Sequence, residues 1–357
     1  MTRYLILILT LTFTLTLKGT PMADRYTTTQ EDFKGHTVYV LTDSETGQEA
    51  RVLPSIGNNC YSYKIRKGDG QIELLWVTPD PETLQGRASG YGIPILFPWP
   101  NRIAEGKFTF DGKAYQLETP GPGEHASHGF VHTRPWQVAS SGASDTDGAW
   151  LTSVFQSVDF PEIGKHFPFP FEARVTYRIK DGALIHEFEG KNVGDHDMPM
   201  GLGTHPYFPL PLTESGNRDL CTVQMPADTY WPVGDDPIPT GEILPVDDTI
   251  YDVRQPTPLK DLYYDNVWSG VTLTDGWSRC DYVDPIAGVK ISMEADDVFR
   301  ELVLYAPDSR PIVCFEPYTC VTNAVNLEPQ GIDAGLMRVK PNEGFHGVMR
   351  IVGEVIK

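Results

Sequence analysis

The chain has 357 residues, including 33 glycines, 30 prolines, 16 Phe, 16 Tyr and 7 Trp. These rings suffice for a substantial core, which excludes intrinsic disorder and collagen-like structure. The formal net charge of −19 at pH 7 argues against nucleic acid or anionic lipid as a partner, because both bind basic surfaces.

The N-terminus carries a short uncharged run. Residues 4–17 follow Arg3 and consist of Leu, Ile, Phe, Tyr and Thr. The run is short for a membrane span and resembles the apolar region of a secretory signal, which predicts a periplasmic or secreted protein without stable membrane association. Alternatively, translation starts at Met22, which predicts a cytoplasmic protein. We therefore set residues 1–23 apart from residues 24–357, for which we predict a single domain.

Alternation of apolar and polar residues with period two recurs along the rest of the chain and predicts strands with one buried face. The clearest segments of this kind are residues 61–66, 174–180 and 289–294. Residues 108–117 predict a hairpin, because Asp111-Gly112 suits a two-residue type I′ turn. Uninterrupted apolar runs at residues 302–305 and 312–315 predict strands buried on both faces.

No long amphipathic helix is evident, and Pro-rich stretches at residues 206–211 and 232–245 predict loops. We therefore predict an all-β fold, a large sandwich of antiparallel sheets. The five cysteines are scattered and none forms a C-x-x-C pair, so we predict neither a disulfide framework nor structural zinc.

An Asn-Arg pair in a proline-restrained loop is the first candidate for ligand binding. Asn101 and Arg102 directly follow Pro98-Trp99-Pro100. Their amide and guanidinium groups offer several hydrogen-bond donors to hydroxyl oxygens. The alternative is that Arg102 only stacks on the ring of Trp99.

Three closely spaced histidines form the second candidate. His125, His128 and His132 suggest a metal site, since neutral imidazoles are common ligands. However, Gly129 and Pro135 argue against presentation on a helix, and no acidic residue completes a known ligand spacing. We therefore predict no metal here; the alternative role is ordinary hydrogen bonding.

A histidine and a glutamate provide candidates for proton transfer. His205 is fixed between Gly203-Thr204 and Pro206, and imidazole titrates near neutral pH. It is either a proton donor or a strand-end histidine that bonds a carbonyl. Glu316 interrupts an apolar strand, where an unpaired carboxylate is costly and desolvation raises its pKa toward that of a general base.

Taken together, these segments resemble the aldose 1-epimerase (galactose mutarotase) family. The similarity spans roughly residues 35–355 and implies a β-sandwich with an open sugar cleft. It also implies interconversion of the α and β anomers of a small-molecule monosaccharide, a free aldose, without cofactor or metal. The matching elements, in family order, are Asn101-Arg102-Ile103, Gly106-Lys107-Phe108 with Asp111-Gly112, His128-Gly129-Phe130 with Arg134-Pro135-Trp136, Gly203-Thr204-His205-Pro206-Tyr207-Phe208, and Glu316-Pro317-Tyr318 with Asn323-Ala324-Val325-Asn326-Leu327.

The resemblance also implies roles for individual residues. Glu316 resembles the family's general base and His205 its general acid, with His128 assisting at the ring oxygen. These residue types agree with the chemistry, because a carboxylate and an imidazolium on opposite sides of the sugar can make both proton transfers. Hydroxyl binding is implied for Asn101, Arg102 and Asp265. The chain departs from the family at two positions: Asn266 stands where a histidine often follows the aspartate, and Phe130 where a second glycine is common.

Three other functions are compatible with parts of this pattern. A sugar-phosphate 1-epimerase, such as one for hexose 6-phosphates, would need cationic groups such as Arg102 and Arg134 to converge on the phosphate. A non-catalytic carbohydrate-binding protein would not need the pair formed by Glu316 and His205. A glycosidase would need two carboxylates across the scissile bond.

Overall fold

The computed structural model describes residues 24–356. The signal-like segment predicted for residues 1–23 lies outside the described residues, so both interpretations of it stay predictions, as does the single domain. No helix in the described part of the chain is long and apolar enough to cross a membrane.

Strands dominate the chain, and the helices within residues 24–356 are short. The strands are β1 (Tyr26–Phe33), β2 (His36–Asp43), β3 (Gln48–Leu53), β4 (Asn59–Lys67), β5 (Gly70–Glu73), β6 (Ile95–Leu96), β7 (Arg102–Ile103), β8 (Lys107–Phe110), β9 (Lys113–Gln116), β10 (Ala126–Ser127), β11 (Gln137–Ser144), β12 (Gly148–Gln156), β13 (Phe171–Lys180), β14 (Ala183–Asn192), β15 (Met198–Met200), β16 (Gly203–Thr204), β17 (Tyr207–Pro209), β18 (Thr222–Gln224), β19 (Ala227–Trp231), β20 (Leu244–Pro245), β21 (Thr257–Pro258), β22 (Tyr264–Val271), β23 (Ser278–Asp284), β24 (Val289–Ala295), β25 (Glu301–Ala306), β26 (Ile312–Tyr318), β27 (Met337–Val339) and β28 (Gly344–Val355). The α-helices are α1 (Pro81–Gly86), α2 (Pro161–His166) and α3 (Ala324–Leu327), and the 3₁₀ turns are Ala104–Gly106, Val131–Thr133, Ser157–Asp159, Arg218–Leu220 and Glu328–Gln330.

Two large antiparallel sheets form the sandwich, which confirms the predicted all-β class. A nine-stranded sheet has the order β11-β12-β13-β14-β28-β24-β23-β18-β21. An eight-stranded sheet has the order β20-β19-β22-β25-β26-β16-β6, and β17 also pairs with β26. A separate five-stranded sheet, β1 to β5, packs on β11, β12 and β13.

The core lies between the two large sheets. On β13, buried residues alternate strictly with half-buried ones, as the period-two pattern predicts. Strands β25 and β26 are buried on both faces, as their apolar runs predict. One of their faces, with Leu302, Leu304, Val313 and Phe315, joins the same buried cluster as the inner residues of β13. Their other face carries the polar residues described below.

The structure confirms one local sequence prediction and corrects two others. The predicted hairpin is formed by β8 and β9, and Asp111 and Gly112 both have positive φ, as a type I′ turn requires. The predicted loop at residues 206–211 is wrong in part, because residues 207–209 form β17 against β26. On β24, Glu294 is buried rather than exposed, since Arg279 and Arg350 pair with its carboxylate.

Candidate active site

One polar cavity of about 150 Å³ gathers all six residues predicted for the site. These residues are Asn101, Arg102, His128, His205, Asp265 and Glu316. The remaining lining residues, to which the sequence analysis assigned no role in the site, are Arg87, Ser89, Tyr207, Tyr305, Arg310 and Tyr318. Residues separated by more than 200 positions thus share one site.

The cavity lies over one face of the eight-stranded sheet. Asp265 on β22 lies opposite Tyr305 on β25, which lies opposite Cys314 on β26, and Cys314 in turn lies opposite Tyr207 on β17. Directly opposite residues of antiparallel strands project to the same side, so this row spans four strands on one face. Glu316 follows Cys314 by two residues and therefore shares that face.

Glu316 is the buried carboxyl group of the cavity. Only 2% of the residue is exposed, and the Tyr318 hydroxyl donates a hydrogen bond to its Oε2. Burial raises the pKa of the Glu316 carboxyl well above its usual range, while the hydrogen bond from Tyr318 and the charge of Arg102 oppose that rise. When ionised, such a carboxylate is a stronger base than one in water.

His205 is in direct contact with Glu316. It follows β16, which pairs with the end of β26 at Gly203 and Tyr318. A Cβ at Gly203 would lie 2.4 Å from the Tyr318 ring, so glycine permits this approach. The His205 Nε2 atom lies 3.1 Å from Glu316 Oε1 and 3.1 Å from the Tyr207 hydroxyl. Burial lowers the pKa of His205 to about 3.

This contact differs from the arrangement expected from the proton-transfer chemistry, in which the two groups lie on opposite sides of the sugar. The cause is the pairing of β16 with β26, which brings the residue after β16 next to the Glu316 side chain. The His205 ring also stacks on Tyr207 with 4.3 Å between ring centroids, which fixes its plane. Acid and base are thus neighbours.

His128 is placed by a close backbone contact between two loops. Its N–H donates to the Asn101 carbonyl at 2.8 Å, and Gly129 follows with φ of +66°. A Cβ at Gly129 would lie 2.0 Å from the Phe97 carbonyl oxygen, so only glycine fits there. The His128 ring centroid lies 5.9 Å from that of His205. Burial, then the neighbouring histidines and Arg102, lower the pKa of His128.

The Asn-Arg pair faces the cavity and is not stacked on the neighbouring tryptophan. The Arg102 Nη1 atom donates to Asn101 Oδ1 at 3.0 Å, which orients both side chains. Its backbone carbonyl accepts from the Asn323 N–H at 2.8 Å, and Asn323 Oδ1 accepts from the Ala104 N–H. Trp99 packs instead against Phe130 and Phe167.

Asp265 lies at the rim. Although the residue keeps contact with solvent, the surrounding protein raises the pKa of its carboxyl, and the charge of Arg102 opposes this rise. In the pairing of β22 with β25, Asp265 lies opposite Tyr305, which also lines the cavity. The carboxyl group is therefore available to a ligand at the open side.

The three closely spaced histidines do not converge on one point. His125 pairs with Asp236, whereas the His128 ring centroid lies 6.1 Å from that of His132 and 5.9 Å from that of His205. Among residues 24–356, the donor atoms that could share a cation are those of His205, Cys314 and Glu316, which lie within 4.8 Å of one another. Burial and the nearby Glu316 raise the pKa of the Cys314 thiol, which disfavours the thiolate that a metal requires. The absence of a metal requirement stays a prediction.

Several residues of the cavity were not predicted from the sequence. Arg134, which a sugar-phosphate epimerase would need beside Arg102, pairs with Glu162 and donates to the Phe130 carbonyl outside the cavity. Tyr318 was accessible to reasoning, because it lies two residues after Glu316 on the same strand face. Arg87 and Arg310 lie in connecting segments that carry no recognisable pattern, and only the fold brings them to the cavity.

Comparison with known proteins identifies the family of this chain. The model of a family described as aldose 1-epimerase matches residues 39–352. The chain belongs to the aldose 1-epimerase family. Membership places it among the carbohydrate epimerases, which are isomerases.

Individual members of the family show how far the similarity extends. The uncharacterized protein YihR of Escherichia coli (strain K12) is 28% identical over 260 residues, which cover 71% of this chain and 77% of that protein. The galactose mutarotase of Homo sapiens is 34% identical over 164 residues, 44% of each chain. A galactose mutarotase-like protein from Clostridium acetobutylicum shares the fold, with a TM-score of 0.83, 22% identity and coverage of 92% and 98% of the two chains.

Proposed function

We propose that this protein is an aldose 1-epimerase that interconverts the α and β anomers of a free aldose by general acid–base catalysis. The observation that carries the proposal is the contact between Glu316 Oε1 and His205 Nε2, at 3.1 Å, within a cavity that holds hydroxyl-binding groups. The substrate is a monosaccharide, and neither a cofactor nor a metal is required.

Opening the hemiacetal requires two proton transfers. The Glu316 carboxylate takes the proton of the anomeric hydroxyl, the bond between C1 and the ring oxygen breaks, and the His205 imidazolium gives a proton to that oxygen. Rotation about the bond between C1 and C2 presents the other face of the aldehyde. Reclosure with both roles reversed returns each proton and yields the other anomer.

The contact between the two groups suits this chemistry. The anomeric hydroxyl and the ring oxygen are bonded to the same carbon, so they too are close together. A base and an acid whose reactive atoms are 3.1 Å apart can therefore serve both oxygens of one hemiacetal. Each proton transfer contributes about 10²–10⁴-fold to the rate.

Burial makes His205 a stronger acid and Glu316 a stronger base. It lowers the pKa of His205 to about 3, so its imidazolium is a stronger acid than in water. It raises the pKa of Glu316, so its carboxylate is a stronger base. The same shifts make the ion pair the less populated form of the free site, and ring opening converts that ion pair into the two neutral groups that burial favours.

The other predicted residues hold the sugar. Arg102, Asn101 and Asp265 would bind its hydroxyl groups by hydrogen bonds, which fix the hemiacetal against the pair. His128 stands beside His205 and would contact the ring-oxygen side of the substrate. A carbohydrate-binding protein without activity would need such groups, yet it would gain nothing from two titratable side chains buried in contact.

Polarimetry on freshly dissolved α-glucose and α-galactose tests the proposal. We expect the protein to hasten the approach of optical rotation to its equilibrium value without changing that value. Sugar binding detected by calorimetry, with no acceleration for any aldose tested, would instead establish a carbohydrate-binding protein.

A further inference from the structure

A second cavity lies on the same face of the eight-stranded sheet as the active site. Its volume is about 460 Å³, and none of the described residues lines both cavities. Ser269 on β22 and Glu301 on β25 line it, four residues along their strands from Asp265 and Tyr305 of the active site. An even spacing keeps these side chains on one face of the sheet. Buried apolar residues of β22 and β25 lie between the two cavities, so the second is a separate space.

The buried carboxyl group of Glu301 uses only one of its two oxygens within the protein. The Ser269 hydroxyl and the Trp231 indole N–H both donate to Oε2, the latter at 3.1 Å. Within residues 24–356, Oε1 has no hydrogen-bond partner. Because Glu301 lines the cavity and Oε1 is not fully enclosed, this oxygen faces the open space. In a residue only 2% exposed, such an oxygen is an acceptor available to a ligand.

The charges around this carboxyl group favour a cation. Among residues 24–356, no cationic side chain pairs with Glu301. Arg300, which also lines the cavity, is held by two hydrogen bonds to Asp333, both of 2.8 Å. Asp297 adds a further, exposed carboxylate. With three carboxylates against one guanidinium, the ionised cavity is negative, so Oε1 binds a charged donor better than a neutral one.

Much of the remaining wall is apolar. Phe299 is buried, whereas Ile243 and Leu273 keep 44% and 39% of their surface exposed beside it. Val271 also lines the cavity. Apolar side chains grouped in a concave site around a few polar groups are typical of small-molecule binding. The cavity therefore suits a ligand that combines a positive head with an apolar body.

We propose that this second cavity binds a primary amine with an apolar body, whose ammonium group donates a hydrogen bond to Glu301 Oε1. An ammonium group has three N–H donors. The Thr229 hydroxyl, on β19 opposite Ser269, is a further acceptor in the cavity. This inference goes beyond the proposed function, because it uses none of the residues that act on the sugar.

Binding of an ammonium group should release a proton from Glu301. Burial raises the pKa of this carboxyl to about 7, against the opposing hydrogen bonds from Ser269 and Trp231. A cation at Oε1 stabilises the ionised form and lowers that pKa again. At pH 6 the carboxyl of the free protein is mostly protonated, so the amine displaces its proton, whereas at pH 8 little proton is left to release.

The other ionisable groups near this carboxyl group respond differently. The hydrogen bonds between Arg300 and Asp333 raise the pKa of the first and lower that of the second. Tyr318 lies on the neighbouring strand opposite it, and burial raises the pKa of this phenol. Burial also raises the pKa of the Cys320 thiol, to about 12. Asp297 is exposed, and its replacement in the test below measures its contribution.

Calorimetry with three matched probes tests the proposal. The probes are 2-phenylethylammonium, 2-phenylethanol and 3-phenylpropionate, which carry a cation, a neutral hydroxyl and an anion on the same apolar body. For the wild type at pH 8, we expect a Kd on the order of 1 mM or below for the amine. The alcohol should bind about tenfold more weakly, and the anion more weakly still. At pH 6, titrations in buffers of different ionisation enthalpy should show release of about one proton per amine bound.

A second measurement locates the bound amine. The Trp231 indole N–H donates to the same carboxyl group, so its resonance in a ¹H–¹⁵N spectrum should shift when the amine binds. Trp231→Phe identifies this resonance among those of the seven tryptophans. A shift confined to other indole groups would place the amine elsewhere and overturn the site.

Two variants and one control complete the test. Glu301→Gln keeps an oxygen for the Ser269 and Trp231 donors but removes the charge, so the affinity for the amine should fall about tenfold and proton release should vanish. Asp297→Asn leaves the core intact and should weaken binding about twofold, so a test remains even if Glu301→Gln folds poorly. The control is Glu316→Gln, which removes an equally buried carboxyl group from the other cavity and should bind the amine normally.

The outcomes are independent of the proposed function, which polarimetry tests. Equal affinity for the alcohol and the amine would overturn the cationic class of ligand. Binding without proton release at pH 6 would overturn the contact with Glu301. Loss of amine binding in Glu316→Gln but not in Glu301→Gln would move the amine to the active site, and failure of all three probes to bind would overturn the proposal.

Discussion

Two glutamates on the same face of one sheet are equally buried but have different partners. Glu301 and Glu316 are each 2% exposed and lie on the neighbouring strands β25 and β26. Glu301 lies opposite Tyr318, and Glu316 lies opposite Val303. Burial raises the pKa of both carboxyl groups, that of Glu301 to about 7. Each also lines a cavity, and the cavity of Glu301 is the larger, at about 460 Å³.

What distinguishes the two carboxyl groups is the chemistry of their neighbours. Glu301 accepts hydrogen bonds from the Ser269 hydroxyl and from the Trp231 indole N–H at 3.1 Å, and neither donor titrates near neutral pH. Glu316 instead contacts His205, which can exchange a proton. A raised pKa and a large cavity are therefore not enough to identify an active site. What identifies the active site is a second titratable side chain in contact with the buried carboxyl group.

Replacing each glutamate by glutamine gives the largest expected contrast. Glu316→Gln keeps the shape of the side chain and removes the base, so we expect kcat to fall about 10²-fold or more while the fold remains. Glu301→Gln, the matched control, should keep near-normal turnover because its carboxyl group has no proton-transfer partner. Polarimetry on the two variants checks this, and comparable losses in both would remove the distinction.

A smaller effect is expected from the hydrogen bond between Tyr318 and Glu316. This bond stabilises the carboxylate, so Tyr318→Phe should raise the pKa of Glu316 further and lower turnover about tenfold. Tyr63→Phe is the control, because the Tyr63 hydroxyl is buried without a hydrogen-bond partner. Equal turnover in Tyr318→Phe and the wild type would show that this hydroxyl does not tune the base.

Glu301 should affect stability rather than rate. The unfolded chain loses the Glu301 proton near pH 4.5, whereas the folded protein keeps it up to about pH 7. The wild type therefore loses stability as the pH rises through this window, and Glu301→Gln does not share that loss. Urea unfolding at pH 4.5 and pH 8 should reveal a difference of up to about 3 kcal/mol in this change. The same pH dependence in both proteins would contradict the assignment.

Removal of metal should have no effect on turnover. The His205, Cys314 and Glu316 atoms could bind a cation, but proton transfer between the pair does not require one. We expect full activity after exhaustive treatment with EDTA. Loss of activity that a divalent ion restores would replace the proton-transfer account with a metal-assisted one.

The sequence predicted the sheets better than the contacts between distant segments. Period-two alternation located β13, and the apolar runs located β25 and β26, because burial of one or both faces leaves a local pattern. Residues 207–209 were mistaken for a loop, since the flanking prolines hide a short strand that pairs with β26. A pairing between segments about 100 residues apart leaves no local trace.

The site was partly predictable for a similar reason. Glu316 stood out because a carboxylate interrupts an apolar strand, whereas Glu301 only precedes such a run, where nothing in the local sequence marks a carboxylate as buried. The contact between His205 and Glu316 depends on the pairing of β16 with β26, which no spacing reveals. Arg87 and Arg310 reach the cavity from loops, where the sequence carries no periodic signal.

The pH dependence of kcat/KM for the wild type and His205→Asn tests the central claim most directly. If Glu316 and His205 work as a pair, the wild-type profile is a bell whose two limbs belong to both groups together. His205→Asn should lose the alkaline limb and most of the rate, because an amide cannot give and recover a proton, while its thermal melt shows a folded protein. An unchanged bell in a well-folded His205→Asn variant would exclude His205 from the reaction.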